Sequence, residues 1–199
     1  MNLFWKIIAW IVARPRIANW LIQRAMKTPY QHILSPDHSE VYMYRFWLFN
    51  GYLTQAQKDR YKAEGKKLPW RFPYSIRLHR IMVPDLARHK HDHPSRSRSI
   101  ILKGWYDEER LEYQPPCAGM DWSMLPEAYH TFGYHRAQGS TAVLELGEFH
   151  NITRVPDGGV WTMFITGPRA KEDWGYLVDG KKVSFREYVR EGTVVDNVP

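Results

Sequence analysis

Histidines stand at alternate positions in His89-Lys90-His91-Asp92-His93, and seven of the nine histidines in the chain fall between His79 and His150. Alternate side chains leave one face of an extended segment, so His91 and His93 can both point into a barrel and grip one ion. Pro94 cannot donate to a ladder and marks a strand end or an edge, which puts the pair near a rim open to substrate. His150, in Gly147-Glu148-Phe149-His150-Asn151, follows a strand-like run and can supply a third imidazole from a neighbouring strand. Three neutral imidazoles suit one divalent metal ion such as Fe(II), Zn, Ni, Mn or Cu, and leave coordination positions for water or a small-molecule substrate. His89 shares the parity of His91 and is the alternative to His93 as a ligand, or a residue behind one; Glu145 or Glu148 can rotate in as a fourth ligand. The single cysteine, Cys117, forms no internal disulfide and excludes a Cys-rich zinc site.

Around this cluster the sequence offers further groups for proton transfer or anion binding. His135, in Tyr134-His135-Arg136, is a candidate acid or base near the rim. Arg98, Arg136 and Arg80 are candidate partners for a substrate anion, with Arg96 and Arg98 on one face of a strand if it runs through both. His79 alternates with Arg77 and Ile81 and reads as a core residue or one placed behind a ligand. Trp161, Phe164 and Trp174 occupy strand positions that must fill a barrel. Neither a phosphate-binding glycine loop nor a G-x-S-x-G turn occurs, so nucleotide-phosphate and serine-hydrolase chemistry lack their usual supports.

The elements that must position these groups follow from the pattern of the chain. From about Pro73, short β-prone runs alternate with turn residues: 75–83, 98–106, 110–113, 142–146, 160–166, 174–178 and 181–185. Asp179-Gly180 between the last two is a two-residue hairpin signal. Many short strands without intervening amphipathic helices predict an antiparallel barrel or sandwich in a mainly β domain. Upstream, residues 3–13 are apolar except for Lys6, Arg14-Pro15-Arg16 ends the run, and Ile17 to Met26 carries apolar residues at helical spacing until Pro29. Two short helices, or one kinked at Pro15, are expected, with residues 1–70 forming a basic, aromatic-rich helical arm packed on a barrel of residues 71–199.

The motifs resemble those of the metal-binding cupins. His91-x-His93 followed by Ser99-Ile100-Ile101-Leu102-Lys103-Gly104 is similar to the first motif of that group, and His150-Asn151 to the end of the second. More closely, Thr28-Pro29-Tyr30, His91-Asp92-His93-Pro94, His135-Arg136-Ala137 and Trp161-Thr162-x-Phe164-Ile165-Thr166-Gly167-Pro168-Arg169 resemble small cupin-like proteins of phages and prophages. The resemblance implies a cupin-type double-stranded β-helix with N-terminal helices, and His91, His93 and His150 as metal ligands. It carries no reaction with it. The glutamate that the general motif places after its second histidine is missing, since that stretch reads Pro94-Ser95-Arg96-Ser97-Arg98. Three neutral ligands leave the metal its full charge, and by analogy with thiol dioxygenases and dicarbonyl-cleaving cupins this favours dioxygenase-like oxidation of a small chelating substrate. The competing expectation is a non-catalytic phage or prophage accessory or binding protein whose metal site is structural or vestigial and whose arm attaches to a membrane or partner.

Charge separates the two parts of the chain. The net charge is +7; residues 1–70 hold 11 Lys and Arg against 4 Asp and Glu, whereas residues 71–199 hold 17 of each. The apolar run of residues 3–13 reaches only about 16 Å as a helix, roughly half a bilayer's hydrocarbon thickness. Peripheral membrane contact through residues 1–27 is therefore expected rather than a span, on a cytoplasmic protein, with a homodimer through the same helices as the other use of the arm. Charge alone speaks for nucleic acid, and no specific nucleic-acid partner is expected.

Overall fold

The computed structural model describes residues 3–34, 40–85, 87, 89–113, 129–171 and 173–190; His38 and Cys117 lie outside them. Helices α1 (Leu3–Val12) and α2 (Pro15–Ala25) open the chain. Pro15 sits at the start of α2, where a missing N–H costs nothing. Strands β1 (Pro29–Leu34) and β2 (Val41–Phe49) follow, then α3 (Gln55–Ala63), which a Thr54–Gln57 capping box begins. The remainder is β3 (Ser75–Ile81), β4 (Ser95–Lys103), β5 (Trp105–Tyr113), β6 (Tyr129–Ala137), β7 (Thr141–Leu144), β8 (His150–Arg154), β9 (Val160–Arg169), β10 (Gly175–Val178), β11 (Lys181–Ser184) and the short α4 (Phe185–Arg190).

Six strands form one antiparallel sheet in the order β1-β2-β3-β9-β4-β7. The opposing layer contains β6-β5-β8 and the hairpin β10-β11, and His91 joins the two by bridging His150 on one side and Tyr176 on the other. From His91 onward the chain passes repeatedly between layers: β4 lies in the first, β5 and β6 in the second, β7 in the first, β8 in the second, β9 in the first and β10 in the second. This is the wrapping of a double-stranded β-helix, so the mainly β fold with N-terminal helices is the one found.

Local sequence accounts for the crossings. The run expected over residues 98–106 is two strands, broken at Gly104, which adopts φ +86 and swings the chain from one sheet to the other. Asp179 (φ +48) and Gly180 (φ +74) form the tight hairpin between β10 and β11, with Val178 paired to Lys181. The boundary expected at residue 70 moves: β1 and β2 are integral to the six-stranded sheet, and the helical segment ahead of the barrel ends at Ala25. In the aromatic run of 41–49, Phe46 is buried on one face of that sheet while Arg45, its neighbour in the strand, lines the space on the other.

The six-stranded sheet has two different faces. On the outer one, Phe46, Leu78, Ile100, Leu102 and Met163 pack with Ala9, Ala18, Leu21, Ile22 and Ala25 of the helices into one apolar core. The alternate positions, among them Arg45, Arg77, His79, Ser99, Thr162 and Phe164, face the space between the layers and line a cavity of about 390 Å³.

Candidate metal centre

His91, His93 and His150 meet on the wall of that cavity, with one ring nitrogen from each lying within 4.8 Å of the others. Three elements bring them together. His150 opens β8 and His91 pairs with it through two backbone hydrogen bonds, His91 N–H to His150 O at 2.9 Å and His150 N–H to His91 O at 3.0 Å. His93 lies two residues on, where the chain leaves this layer for β4. The Nε2 atoms of His93 and His150 are 2.9 Å apart. Ligands held about 2.1 Å from one ion at a right angle lie about 3.0 Å apart, so this spacing matches two adjacent positions of a six-coordinate site.

Carboxylates stand behind two of the rings. His150 Nδ1 is 3.5 Å from Glu108 Oε2, and both atoms are buried without another partner. Glu108 is itself fixed by Arg110 Nε at 2.8 Å and Arg136 Nε at 2.6 Å. Burial alone would raise the Glu108 carboxyl, but His150, Arg110 and Arg136 outweigh it and hold it at about 2. His91 turns Nδ1 toward Asp85 Oδ2 at 3.9 Å, and Asp85 is held by the Ile152 N–H at 2.6 Å and by the Tyr42 hydroxyl. Such backing orients an imidazole and raises its basicity as a ligand. Between the two histidines Asp92 is fully buried and reaches the other way, accepting from the Gly175 N–H at 2.7 Å and from Lys182 Nζ at 2.6 Å. It ties the histidine segment to the β10-β11 hairpin.

Burial keeps the His91 and His93 rings neutral near pH 7. It lowers His91 to about 4 against the opposing pull of Asp85, and it lowers His93 well below the ordinary range with the added effect of its histidine neighbours. Neutral imidazole is the form that binds a metal. The donor set, its spacing and the orphaned Nδ1 of His150 facing Glu108 all fit a divalent cation.

Several expected site residues lie elsewhere. Arg98 projects from the outer face of β4, its guanidinium 4.5 Å from the ring centre of Trp5 in α1, because Ser95, Ser97 and Ser99 take the inward parity. Arg80 shares that outward parity on β3 and donates to Gly158 O at 3.0 Å. His135 lies on β6, exposed and 2.6 Å from Asp107 Oδ1, outside the cavity. Arg136 does not line the cavity either; it acts on His150 only through Glu108. His89 is 2.9 Å from the Tyr188 hydroxyl rather than in the cluster. Glu145 pairs with Arg96, and Glu148 accepts from Arg110, so neither carboxylate approaches the three rings. Phe164 and Trp174 line the cavity rather than only filling the barrel, whereas Trp161 packs against the outer core.

The cations that do face the cavity are Arg45 and Arg77, on paired strands β2 and β3. Arg77 donates to Thr166 Oγ1 at 2.9 Å, while its Nε is buried with no partner. His79 stacks on Phe164 with ring centres 5.2 Å apart, and its Nε2 is also unpartnered. The alternation of Arg77 with His79 was the available signal for Arg77; for Arg45 the signal lies in the pairing of Arg45 with His79, which needs the register.

No protein-family model and no curated protein matches the chain. Solved structures similar to it include oxalate decarboxylase of Bacillus subtilis, at 10% identity with a TM-score of 0.44 over 77% of this chain and 31% of that one. A structure from work on DMSP lyases is 14% identical, with a TM-score of 0.38 over 67% of this chain and 52% of that one. The 7S globulin of Momordica charantia is 12% identical, with a TM-score of 0.41 over 76% of this chain and 38% of that one. The chain thus spans between about a third and a half of the length of these structures.

Proposed function

We propose that the chain is a mononuclear metal enzyme that holds one divalent ion, Fe(II) before Zn, Ni, Mn or Cu, on His91, His93 and His150 and oxidises a small, anionic, chelating molecule. The observation that carries this reading is the convergence of three mostly buried imidazoles at one point of a cavity whose wall also presents Arg45 and Arg77. When bound, the ion supplies Lewis acidity and an entry point for dioxygen chemistry. Three neutral ligands leave its charge uncompensated, which selects an anionic ligand over a neutral one. Arg77, on the cavity wall, supplies positive charge for a second anionic group such as a carboxylate, and that charge-assisted bond would orient the substrate across the cavity. Ile33, Ile81, Phe164 and Trp174 exclude water from the same space. Glu108 and Asp85 hold the rings of His150 and His91 in place.

Metal analysis of untagged protein purified without chelators tests this. About one equivalent of a divalent metal is expected, lost from His91→Ala and from His150→Ala while both variants keep the far-ultraviolet circular dichroism of the parent. Protein that is metal-free and takes up none of these ions on titration, or variants that bind as the parent does, would overturn the reading. Mass spectrometry of small molecules released from the parent, but not from Arg77→Gln, would then identify the substrate class.

A further inference from the structure

The outward side of α1 is apolar, the reverse of an ordinary surface helix. Leu3 (69% exposed), Phe4 (57%), Ile7, Trp10 (58%) and Ile11 face solvent, while Trp5, Ile8, Ala9 and Val12 pack on the sheet. On α2, Ile17 and Trp20 (65%) extend the patch. Lys6, Arg14, Arg16, Arg24 and Lys27 are exposed with it, and none of the five forms an ion pair with a described carboxylate. No Asp or Glu occurs before Asp37. The Arg14 guanidinium lies 3.8 Å from the ring centre of Trp10, so cation and aromatic ring present together.

We infer that α1 and α2 form a docking face for an anionic lipid surface, with Leu3, Phe4, Ile7, Trp10, Ile11 and Trp20 entering the headgroup boundary and the five cations meeting lipid phosphates and carboxylates. Length excludes a span: α1 is about 15 Å long, and no helix among the described residues is long and apolar enough to cross a membrane. Charge decides between a lipid surface and a second copy of the chain. An isologous contact would set the face against itself and bring two unpaired cationic sets together, whereas anionic headgroups complement them. Tryptophan beside arginine suits the interface between hydrocarbon and water. The inference stands independently of the metal reading, since the six-stranded sheet separates these helices from the cavity.

Co-sedimentation of the full chain with phosphatidylcholine vesicles, with and without phosphatidylserine, tests it. The parent is expected to pellet with the anionic vesicles only, and to be released when salt rises from about 0.1 M to about 1 M as the Debye length falls from roughly 10 to 3 Å. Arg16→Gln/Arg24→Gln/Lys27→Gln should lower the partition coefficient roughly a hundredfold. Phe4→Ser/Trp10→Ser should lower it roughly tenfold or more. These side chains are exposed, so melting temperatures should match the parent; if either variant unfolds, Trp20→Ser alone repeats the comparison. Absence of binding to both vesicle types, equal binding to both, or binding unchanged in the variants would overturn the inference. So would a parent dimer in sedimentation velocity that Phe4→Ser/Trp10→Ser converts to monomer, which would assign the face to a second copy.

Discussion

The two faces of the six-stranded sheet are built from the same strands and have opposite chemistry. Leu78, Ile100 and Met163 are buried against the helices, whereas His79, Ser99 and Thr162, each one residue away in its strand, are also buried yet turn polar atoms toward the cavity. A strand's period of two makes this division cheap: stability accumulates on one face without constraining the other. Substitutions on the two faces should therefore separate cleanly.

Leu78→Ala on the outer face should cost about 2–5 kcal/mol through lost burial and the cavity left behind, read as the shift in urea midpoint, while metal per folded molecule stays at the parent value. Loss of metal in that variant's folded fraction would break the separation. Glu108→Gln, behind the inner face, should weaken metal binding about 10–100-fold in a competition titration, since His150 loses the carboxylate facing Nδ1. A parent-like affinity would reduce Glu108 to a partner of Arg110 and Arg136 alone.

A pH series sharpens the contrast. Burial, with the charges of Arg77 and Arg45, holds His79 well below its ordinary range. The unfolded chain therefore takes up a proton at this residue as pH falls through about 6.5 while the folded chain does not, so stability falls as pH falls. In the presence of chelator, His79→Gln should remove about 1.4 kcal/mol per pH unit from that slope between roughly pH 6 and 5, measured by urea unfolding. An unchanged slope would mean that His79 is already protonated in the fold. At the small end, Arg96→Ala, which breaks an exposed pair with Glu145, should alter stability by less than about 0.5 kcal/mol.

Much of the site was legible because its spacing is local. His91 and His93 are two residues apart in an extended segment, and the rule of alternate side chains places both on one side even though His91 is a lone bridge rather than part of a long strand. The hairpin at Asp179-Gly180 and the helices around Pro15 were legible for the same reason. What depended on pairing was not. Arg98 was a reasonable choice for the cavity until the parity of β4 gave that side to Ser95, Ser97 and Ser99, and Arg45 entered the site only through its register opposite His79. Strand β6 carries His130 as well as His135, and β1 carries His32; none of the three reaches the cluster of His91, His93 and His150.

Asp92, between two of the three clustered histidines, takes its hydrogen bond from a residue 83 positions later, Gly175. During synthesis at about 5–20 residues per second, several seconds separate the emergence of the two from the ribosome. His91 and His93 are therefore translated before His150 and the hairpin of residues 175–184, two of the segments that hold them in place. On the proposed function, metal binding by all three histidines of the nascent chain waits until His150 has been made.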